Sequence, residues 1–313
     1  MNNKNRNKKK VLIIFISIVA LLLVSTEVFL RLEFGLGNTL LFQASDKFEY
    51  LQLPQQEVKR FGNRSYYNTF SQRNREITSN DSVLVDFFGD SVLNGGVQTD
   101  NDSLATSLLS EYWTKKTGKN ILALNISAGS WGPDNAYGYL QSYGDFGAKK
   151  IVLVVSSHDA YDNMDFKAIV GIHPSYPNKQ PLCALTEFIS RYLPRYLPKF
   201  MKKEKTETDE LLINKKDGNQ TPFNSGFENF YNYCNSHNIE LSLYLHADKD
   251  EWKAGEYNEQ GQEIIDFCNE RNLKIIKELD FNFPEKAYRD GIHLSQFGQF
   301  KMFNALKDTL DVN

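Results

Sequence analysis

The stretch Phe87-Phe88-Gly89-Asp90-Ser91-Val92-Leu93-Asn94-Gly95-Gly96 ends an apolar, β-prone run and opens a polar, glycine-rich turn. The run Val83–Phe88 stops at Gly89, and a helical pattern begins near Ser103. A serine between a strand and a helix lies where open α/β sheets bind their ligands. Its backbone N–H can point at an anion, because the first amides of a helix lack partners within the helix. Gly-Asp-Ser also forms ordinary turns, so this stretch alone predicts either a turn or a site.

A second stretch, Tyr288-Arg289-Asp290-Gly291-Ile292-His293-Leu294-Ser295, lies near the other end of the chain. The spacing of Asp290 and His293 lets the carboxylate accept from one ring nitrogen, which leaves the other nitrogen to take a proton from Ser91. A serine nucleophile needs this division of roles between a base and an orienting acid. Two matched stretches almost a whole domain apart therefore predict a catalytic triad, rather than a turn serine, a surface histidine and a loop-capping aspartate.

Gly89-Asp90-Ser91 and Asp290-x-x-His293, in this order, resemble the end motifs of the SGNH/GDSL hydrolase superfamily. The resemblance covers roughly 83–310, and 60–64 is similar to the lead-in of membrane-anchored members. It implies an α/β fold, a three-layer sandwich with a central parallel sheet like that of flavodoxin. It also implies a serine hydrolase acting on ester bonds, with Ser91 as nucleophile, His293 as general base then acid, and Asp290 as its orienting carboxylate.

The middle motifs of the family are not intact in this chain. The Ser91 amide is one expected oxyanion donor, and each well-placed donor is worth roughly 2.7–4 kcal/mol. The family takes a second donor from a glycine after the second strand, and either Gly129 or Ser130 stands at that point. The third family donor is an asparagine, but His158 occupies its position in Ser156-Ser157-His158-Asp159. An imidazole N–H can also donate, so we expect His158 to complete the oxyanion hole; alternatively it bonds the cap and the hole has two donors.

Composition places the chain among ordinary globular proteins. Its 313 residues are 41% hydrophobic and 24% charged, with a formal net charge of −3, which suits one large α/β domain with appendages. The near-neutral charge and the lack of a basic stripe argue against nucleic acid as a partner. There is no Walker loop, no GxGxxG after a strand and no HExxH, so we expect no cofactor and no metal. The absence of a GxSxG elbow argues against the other common serine esterase fold.

The remaining cysteines and histidines receive structural interpretations. Cys183, Cys234 and Cys268 form no CxxC pair, and the last two lie in apolar helical patterns typical of buried core residues. One disulfide among the three stays an open alternative. The other histidines have no carboxylate at a telling spacing and are assigned no role; they are His173, His237 and His246.

The amino terminus predicts a single membrane anchor. Residues 1–10 form a basic tail, and 11–31 form an apolar run of about the 20 residues that span a bilayer as a helix. The cations precede the span, so the tail is expected in the cytoplasm and the rest of the chain outside, in the periplasm or at the cell surface. The competing interpretation is a cleaved signal peptide, but Val24-Ser25-Thr26 is a poor cleavage site and the apolar run continues past it. Glu27 and Arg31 are spaced to pair near the outer interface.

After an irregular strap or flexible stalk at 32–81, the domain at 82–313 alternates between strands and amphipathic helices. Apolar strands separated by such helices indicate a parallel sheet covered on both faces. The strands are predicted at 83–88, 121–126, 151–156, 239–245 and 273–277, and a last helix at 297–310 is predicted to be capped by Ser295.

Residues 160–222 interrupt this alternation and contain six of the nine prolines. Loops this long inside a compact domain are usually lids, binding loops or disordered segments. We expect 160–200 to cap the active site and 201–220 to be solvated and mobile. Alternatively, the Arg/Tyr/Lys cluster of this insertion rests on the membrane surface.

Three functions follow as expectations. The first is an anchored extracytoplasmic esterase that removes acetyl or another small acyl group from a glycan or lipid through an acyl-enzyme at Ser91. The second is an O-acyltransferase modifying a surface polysaccharide. Because this chain has only one span, a transferase would need a multi-span acyl-donor partner or a donor outside. The third is a catalytically idle glycan-binding module, against which the intact triad residues argue.

Overall fold

The computed structural model describes residues 3–196 and 222–312. The chain begins with the helix α1 (Asn3–Phe34), in which Asn7–Phe34 is long and apolar enough to cross a membrane. The apolar side chains from Val11 to Phe29 are exposed, and Leu30 is buried. The predicted pair of Glu27 and Arg31 is present, with Nε of Arg31 donating to the carboxylate at 2.6 Å.

The strap after α1 is more regular than the sequence predicted. It contains two antiparallel hairpins, formed by β1 (Phe42–Ser45) with β2 (Glu49–Gln52) and β3 (Gln56–Arg60) with β4 (Asn63–Tyr67). The prediction of an irregular strap was therefore wrong for 42–67. The second hairpin turns on Phe61 and Gly62, whose φ angles of 51° and 82° fit a two-residue turn that is usually marked by Asn-Gly.

A central sheet of five parallel strands confirms the predicted strand positions to within one or two residues. Its spatial order is β6-β5-β7-β8-β9. The strands are β5 (Val83–Gly89), β6 (Ile121–Ser127), β7 (Lys150–Ser156), β8 (Glu240–His246) and β9 (Lys274–Lys277). The order reverses direction at β5, since β6 lies on one side of it and β7 on the other. A crevice therefore opens at the carboxyl end of β5, which is where Ser91 follows.

Helices cover both faces of this sheet, as the predicted three-layer sandwich requires. In chain order they are α2 (Ser91–Asn94), α3 (Ala105–Thr117), α4 (Pro133–Tyr143), α5 (Ala184–Glu187), α6 (Leu193–Tyr196), α7 (Ser225–His237), α8 (Lys249–Ala254), α9 (Glu259–Glu270) and α10 (Gln296–Thr309). The helices α4, α7 and α9 share one apolar core with the sheet, and α3 and α10 share the other. Cys234 and Cys268 are buried in the first core, as predicted. The hydroxyl of Ser295 accepts from the Gly298 amide at 3.2 Å, which confirms the predicted cap of the last helix.

The insertion between β7 and α7 is described up to residue 196. It holds α5, a π-helical turn at Phe188–Tyr192 and α6. The charged run at 201–220, which the sequence predicted to be solvated and mobile, lies outside the described residues.

Candidate active site

Ser91 occupies the first position of the short helix α2, immediately beyond the end of β5. Asp90 caps this helix, because its Oδ1 accepts from the Val92 amide at 2.8 Å. Gly89 is needed where the strand ends, since a Cβ there would lie 2.8 Å from the carbonyl oxygen of Val154 in the neighbouring strand. The strand end, the cap and the turn therefore hold the serine at the carboxyl edge of the sheet.

The structure brings Ser91, His293 and Asp290 together. Nε2 of His293 lies 3.0 Å from Oγ of Ser91, although the two residues are 202 positions apart in the chain. Nδ1 of the same ring lies 2.9 Å from Oδ2 of Asp290. In this arrangement the serine hydroxyl can donate to Nε2 while the Nδ1–H donates to the carboxylate, which fixes the tautomer that a general base requires.

Asp290 is held as a carboxylate by its own loop. Burial alone would raise its pKa, but the backbone amides of His293 and Ile292 and the His293 ring lower the pKa to about 2. The two amides donate to Oδ1 at 2.8 and 3.0 Å. The loop is closed by the Arg289 amide, which donates to the carbonyl oxygen of His293 at 2.8 Å. The acid that orients the imidazole is therefore charged at every pH at which the protein is expected to work.

The buried imidazole of His246 contacts the backbone of this loop. Nε2 of His246 lies 2.6 Å from the carbonyl oxygen of Ile292, and Nδ1 lies 2.7 Å from the carboxylate of Glu278. Both ring nitrogens face acceptors, so both carry protons. Burial would lower the pKa of His246, but the carboxylate of Glu278 outweighs it and raises the pKa to about 9. Glu278 also accepts from the hydroxyls of Tyr244 and Tyr288, at 2.8 and 2.7 Å. The sequence assigned His246 no role, since its partners lie 32 and 46 residues away.

The strap reaches the serine turn through Arg73. This guanidinium is fully buried, and within the described ranges no carboxylate forms an ion pair with it. It donates instead to the carbonyl oxygens of Asn94, Gly96 and Thr99, the last two at 2.7 Å. Because these carbonyls belong to the last residue of the helix that carries Ser91 and to the turn after it, Arg73 fixes the turn after the nucleophile. Nothing in the sequence spacing pointed to this residue.

Gly129 and Ser130 form the turn after β6. Gly129 lines the same cavity as Ser91, whereas Ser130 is exposed, has a φ of 58° and is not among the lining residues. The carbonyl oxygen of Gly129 accepts from the hydroxyls of Tyr50 and Tyr176, at 2.9 and 3.3 Å. Over 3–196 and 222–312, neither the Ser91 amide nor the Gly129 amide donates to a protein acceptor. Ser91 and Gly129 line the cavity and Ser130 does not, so the amides of Ser91 and Gly129 suit an oxyanion hole better.

His158 follows β7, and its role as a third oxyanion donor stays a prediction. It sits in a 3₁₀ turn after β7, forms no hydrogen bond with Ser91 in the described part of the chain, and is absent from the cavity lining. A ring nitrogen of His158 lies within 4.8 Å of carboxylate oxygens of Asp90 and Asp159. One oxygen of each carboxylate is already engaged, by the amides of Val92 and Ser156 respectively. Burial raises the pKa of Asp159, and the neighbouring carboxylate of Asp90 raises it further.

A cavity of about 350 Å³ opens at Ser91. This volume is at the small end of the range for ligand sites in proteins. Its wall comes from five parts of the chain: the strap, the turn at Ser91, the turn after β6, the insertion and the loop that carries His293. The lining residues used below are Thr39, Arg60, Gly129, Tyr176, Tyr192, Arg289 and His293.

No protein-family profile and no curated protein matches this chain. Among solved structures, it is similar to the acetyl xylan esterase AlAXEase, with 16% identity over 73% of this chain and 100% of that chain, and a TM-score of 0.42. It is similar to a lipase/acylhydrolase from Enterococcus faecalis, with 11% identity over 74% and 98% of the two chains and a TM-score of 0.41. It is also similar to a member of the lipolytic protein G-D-S-L family from Veillonella parvula DSM 2008, with 9% identity over 73% and 98% and a TM-score of 0.40.

Proposed function

We propose that this chain is a serine-dependent ester hydrolase of the SGNH/GDSL type, with its catalytic domain held at the outer face of a membrane by α1. One observation carries the proposal: the unbroken series Ser91 Oγ, His293 ring, Asp290 carboxylate, with contacts of 3.0 and 2.9 Å. A hydroxyl, a neutral base and a charged orienting acid in this order are what acyl transfer to serine requires.

The reaction proceeds in two halves. Oγ of Ser91 attacks the ester carbonyl while Nε2 of His293 takes the hydroxyl proton, and the tetrahedral oxyanion is held by the amides of Ser91 and Gly129. The C–O bond to the leaving alkoxide then breaks, and His293 returns the proton to that oxygen. Water attacks the acyl-enzyme, His293 accepts its proton, and the acid leaves as Ser91 regains its hydrogen. Each oxyanion donor contributes roughly 2.7–4 kcal/mol to this barrier reduction.

The proposed substrate is a small acyl ester, such as an acetyl group, carried by a glycan or lipid outside the cytoplasm. The cavity of about 350 Å³ favours a small acyl group. The basic tail before the apolar helix favours an orientation with the domain outside.

Hydrolysis of p-nitrophenyl acetate by the full chain in detergent tests this function. We expect Ser91→Ala to lower kcat by at least about 10³-fold, since the nucleophile is lost. Ser236→Ala is the matched control, because that exposed serine lies on α7 away from the site. A fluorophosphonate should modify the wild-type protein at Ser91 alone, as measured by peptide mass.

A glycan acceptor added to the same assay separates the alternatives. Acyl gain by the acceptor, with a matching fall in acetate release, would reassign the chain to acyl transfer. A rate equal to that of Ser91→Ala, with retained glycan binding, would contradict catalysis altogether.

A further inference from the structure

The outer end of α1 is built into the folded domain. The carboxylate of Glu27 accepts hydrogen bonds from the amides of Ala184 and Leu185, at 2.9 and 2.8 Å. Leu30 and Leu36 are buried against Ala184 in one apolar cluster. The helix end therefore has a fixed position relative to α5 and the insertion.

The same segment forms part of the wall of the Ser91 cavity. Glu187, at the end of α5, is buried and accepts from Arg60 at 2.5 Å and from the Gly37 amide at 2.7 Å. The guanidinium of Arg60 also donates to the hydroxyl of Tyr192 at 3.0 Å. Arg60 and Tyr192 both line the cavity. One side of the site is therefore fixed to the point where the chain leaves α1.

The chain length limits the distance between this wall and the helix end. Thr39 lines the cavity and is five residues beyond Phe34, the last residue of α1. Five residues reach at most about 18 Å when fully extended. Thr39, and with it this part of the cavity wall, therefore lies within about 18 Å of the end of the helix.

Exposed apolar side chains lie on the helix end and on the segments that pack against it, and we call this set the exit collar. Its large side chains are exposed, Leu182 to 90% and Leu32 to 78%. The aromatic members form a continuous series, with ring centroids of Phe29 and Phe34 5.7 Å apart and those of Phe34 and Phe61 6.4 Å apart. The exit collar consists of Phe29, Leu32, Phe34, Phe61, Leu182 and Ile189.

Helix geometry indicates what covers the exit collar. From Val11 to Thr26 a helix spans only about 24 Å, which is less than the roughly 30 Å of a hydrocarbon core. From Val11 to Leu32 it spans about 33 Å, so a bilayer that covers α1 also reaches the collar. Glu27 can lie at this depth because two amides and Arg31 already satisfy its carboxylate.

From this arrangement we infer that the exit collar lies in the membrane interface and that the Ser91 cavity opens at the bilayer surface, where it takes an ester carried on a lipid of the same membrane. This inference rests on the proposed function for its chemistry and narrows the substrate to one presented by the bilayer. The collar, the buried Arg60–Glu187 pair and the cavity wall act as one rigid connection between membrane and nucleophile.

Two acetate esters that differ only in their membrane anchor test the inference on the full chain in phosphatidylcholine–phosphatidylglycerol vesicles. We expect kcat/KM for hexadecyl acetate in the vesicles to exceed that for soluble ethyl acetate by about tenfold or more. In the double variant Leu182→Glu/Ile189→Glu, two charges oppose insertion of the exit collar into the membrane interface. The hexadecyl acetate rate should therefore fall about tenfold while the ethyl acetate rate stays unchanged. Phe300→Glu is the matched control, because this exposed phenylalanine on α10 lies outside the collar.

A second measurement locates the collar without relying on activity. The added tryptophan of Leu182→Trp should be quenched by brominated lipids, and that of Phe300→Trp should not. Absence of quenching at residue 182, or equal hydrolysis of the two esters by the wild type, would overturn the inference. Failure of the proposed function has a different signature, since ethyl acetate hydrolysis would then be independent of Ser91 whatever the quenching shows.

Discussion

Asp86 is a buried acid without partners in the strand that leads to the nucleophile. The side chain is fully buried, and in the described part of the chain neither carboxylate oxygen has a hydrogen-bond partner. Burial raises its pKa well above the usual value, and the charge of Asp145 adds to the rise. The folded protein therefore holds a proton on Asp86 that the unfolded chain releases near pH 4.

This proton makes stability depend on pH in a definite direction. Because the folded-state pKa is raised, the folded protein binds more protons than the unfolded chain above about pH 4, so the free energy of unfolding falls as pH rises. We expect Asp86→Asn to remove this slope, which makes the variant more stable than the wild type at pH 7 and leaves little difference at pH 4. Urea unfolding of both proteins at pH 7 and pH 4 measures this difference in stability. Parallel pH profiles for the two proteins would contradict this account of Asp86.

Asp290 offers a second test at the level of a single residue. Asp290→Asn keeps the shape of the side chain but no longer selects the tautomer that leaves Nε2 of His293 free to accept. We expect kcat to fall on the order of 10³-fold or more with little change in KM. Steady-state hydrolysis of p-nitrophenyl acetate measures the effect, with Asp250→Asn at an exposed position as control. A variant that retained wild-type kcat would exclude an orienting role.

At the scale of the elements, the end of β8 supports the catalytic loop through His246. Its pKa of about 9 is raised above that of the unfolded chain, so its contribution to stability is fully present below about pH 6.5 and is lost as pH rises through about 9. We expect His246→Gln to cost about 3–5 kcal/mol at pH 7, because the Glu278 charge is left buried without its cation. Thermal unfolding from pH 6 to 10 measures the loss of stability in His246→Gln. It also shows whether the fall in stability as pH rises through about 9 disappears in this variant.

A positioning role for His246 also predicts a kinetic effect. The variant that still folds should lose kcat more than it changes KM, since the carbonyl of Ile292 no longer fixes the loop between Asp290 and His293. His237→Gln is the matched control at an exposed position on α7. If kcat and KM were the same in His246→Gln and His237→Gln, a positioning role for His246 would be excluded.

Elements with a strong local signal could be predicted from sequence, and those built by distant contacts could not. The five strands were recognisable because each is a short apolar run between amphipathic helices. The hairpin at Phe61 and Gly62 was missed because a phenylalanine rarely occupies the first place of such a turn. Arg73 and His246 were missed because carbonyl acceptors leave no mark in the sequence. His158 was predicted as an oxyanion donor from its place in a family motif, and this stays a prediction; in the structure its ring nitrogen lies within 4.8 Å of carboxylate oxygens of Asp90 and Asp159.

At the scale of the whole molecule, the end of α1 packs against the domain that follows it. Cleavage after Thr26 would make Glu27, whose carboxylate accepts from the amides at the start of α5, the charged new amino terminus. It would also remove the apolar part of α1 that is long enough to cross a membrane. We therefore expect protein extracted from membranes to retain the residues before Glu27, as measured by intact mass. A mature chain that begins after residue 26 and is released without detergent would contradict retention.

Arg73 has a consequence for how the molecule can be divided. The sheet and its helices begin at residue 83, yet the turn behind the nucleophile is tied by a guanidinium that comes earlier in the chain. Cutting at the apparent domain boundary would yield a fragment with every reacting group present and the serine poorly aligned. A version of this domain moved to another protein would therefore have to include the segment with Arg73 as well as the sheet.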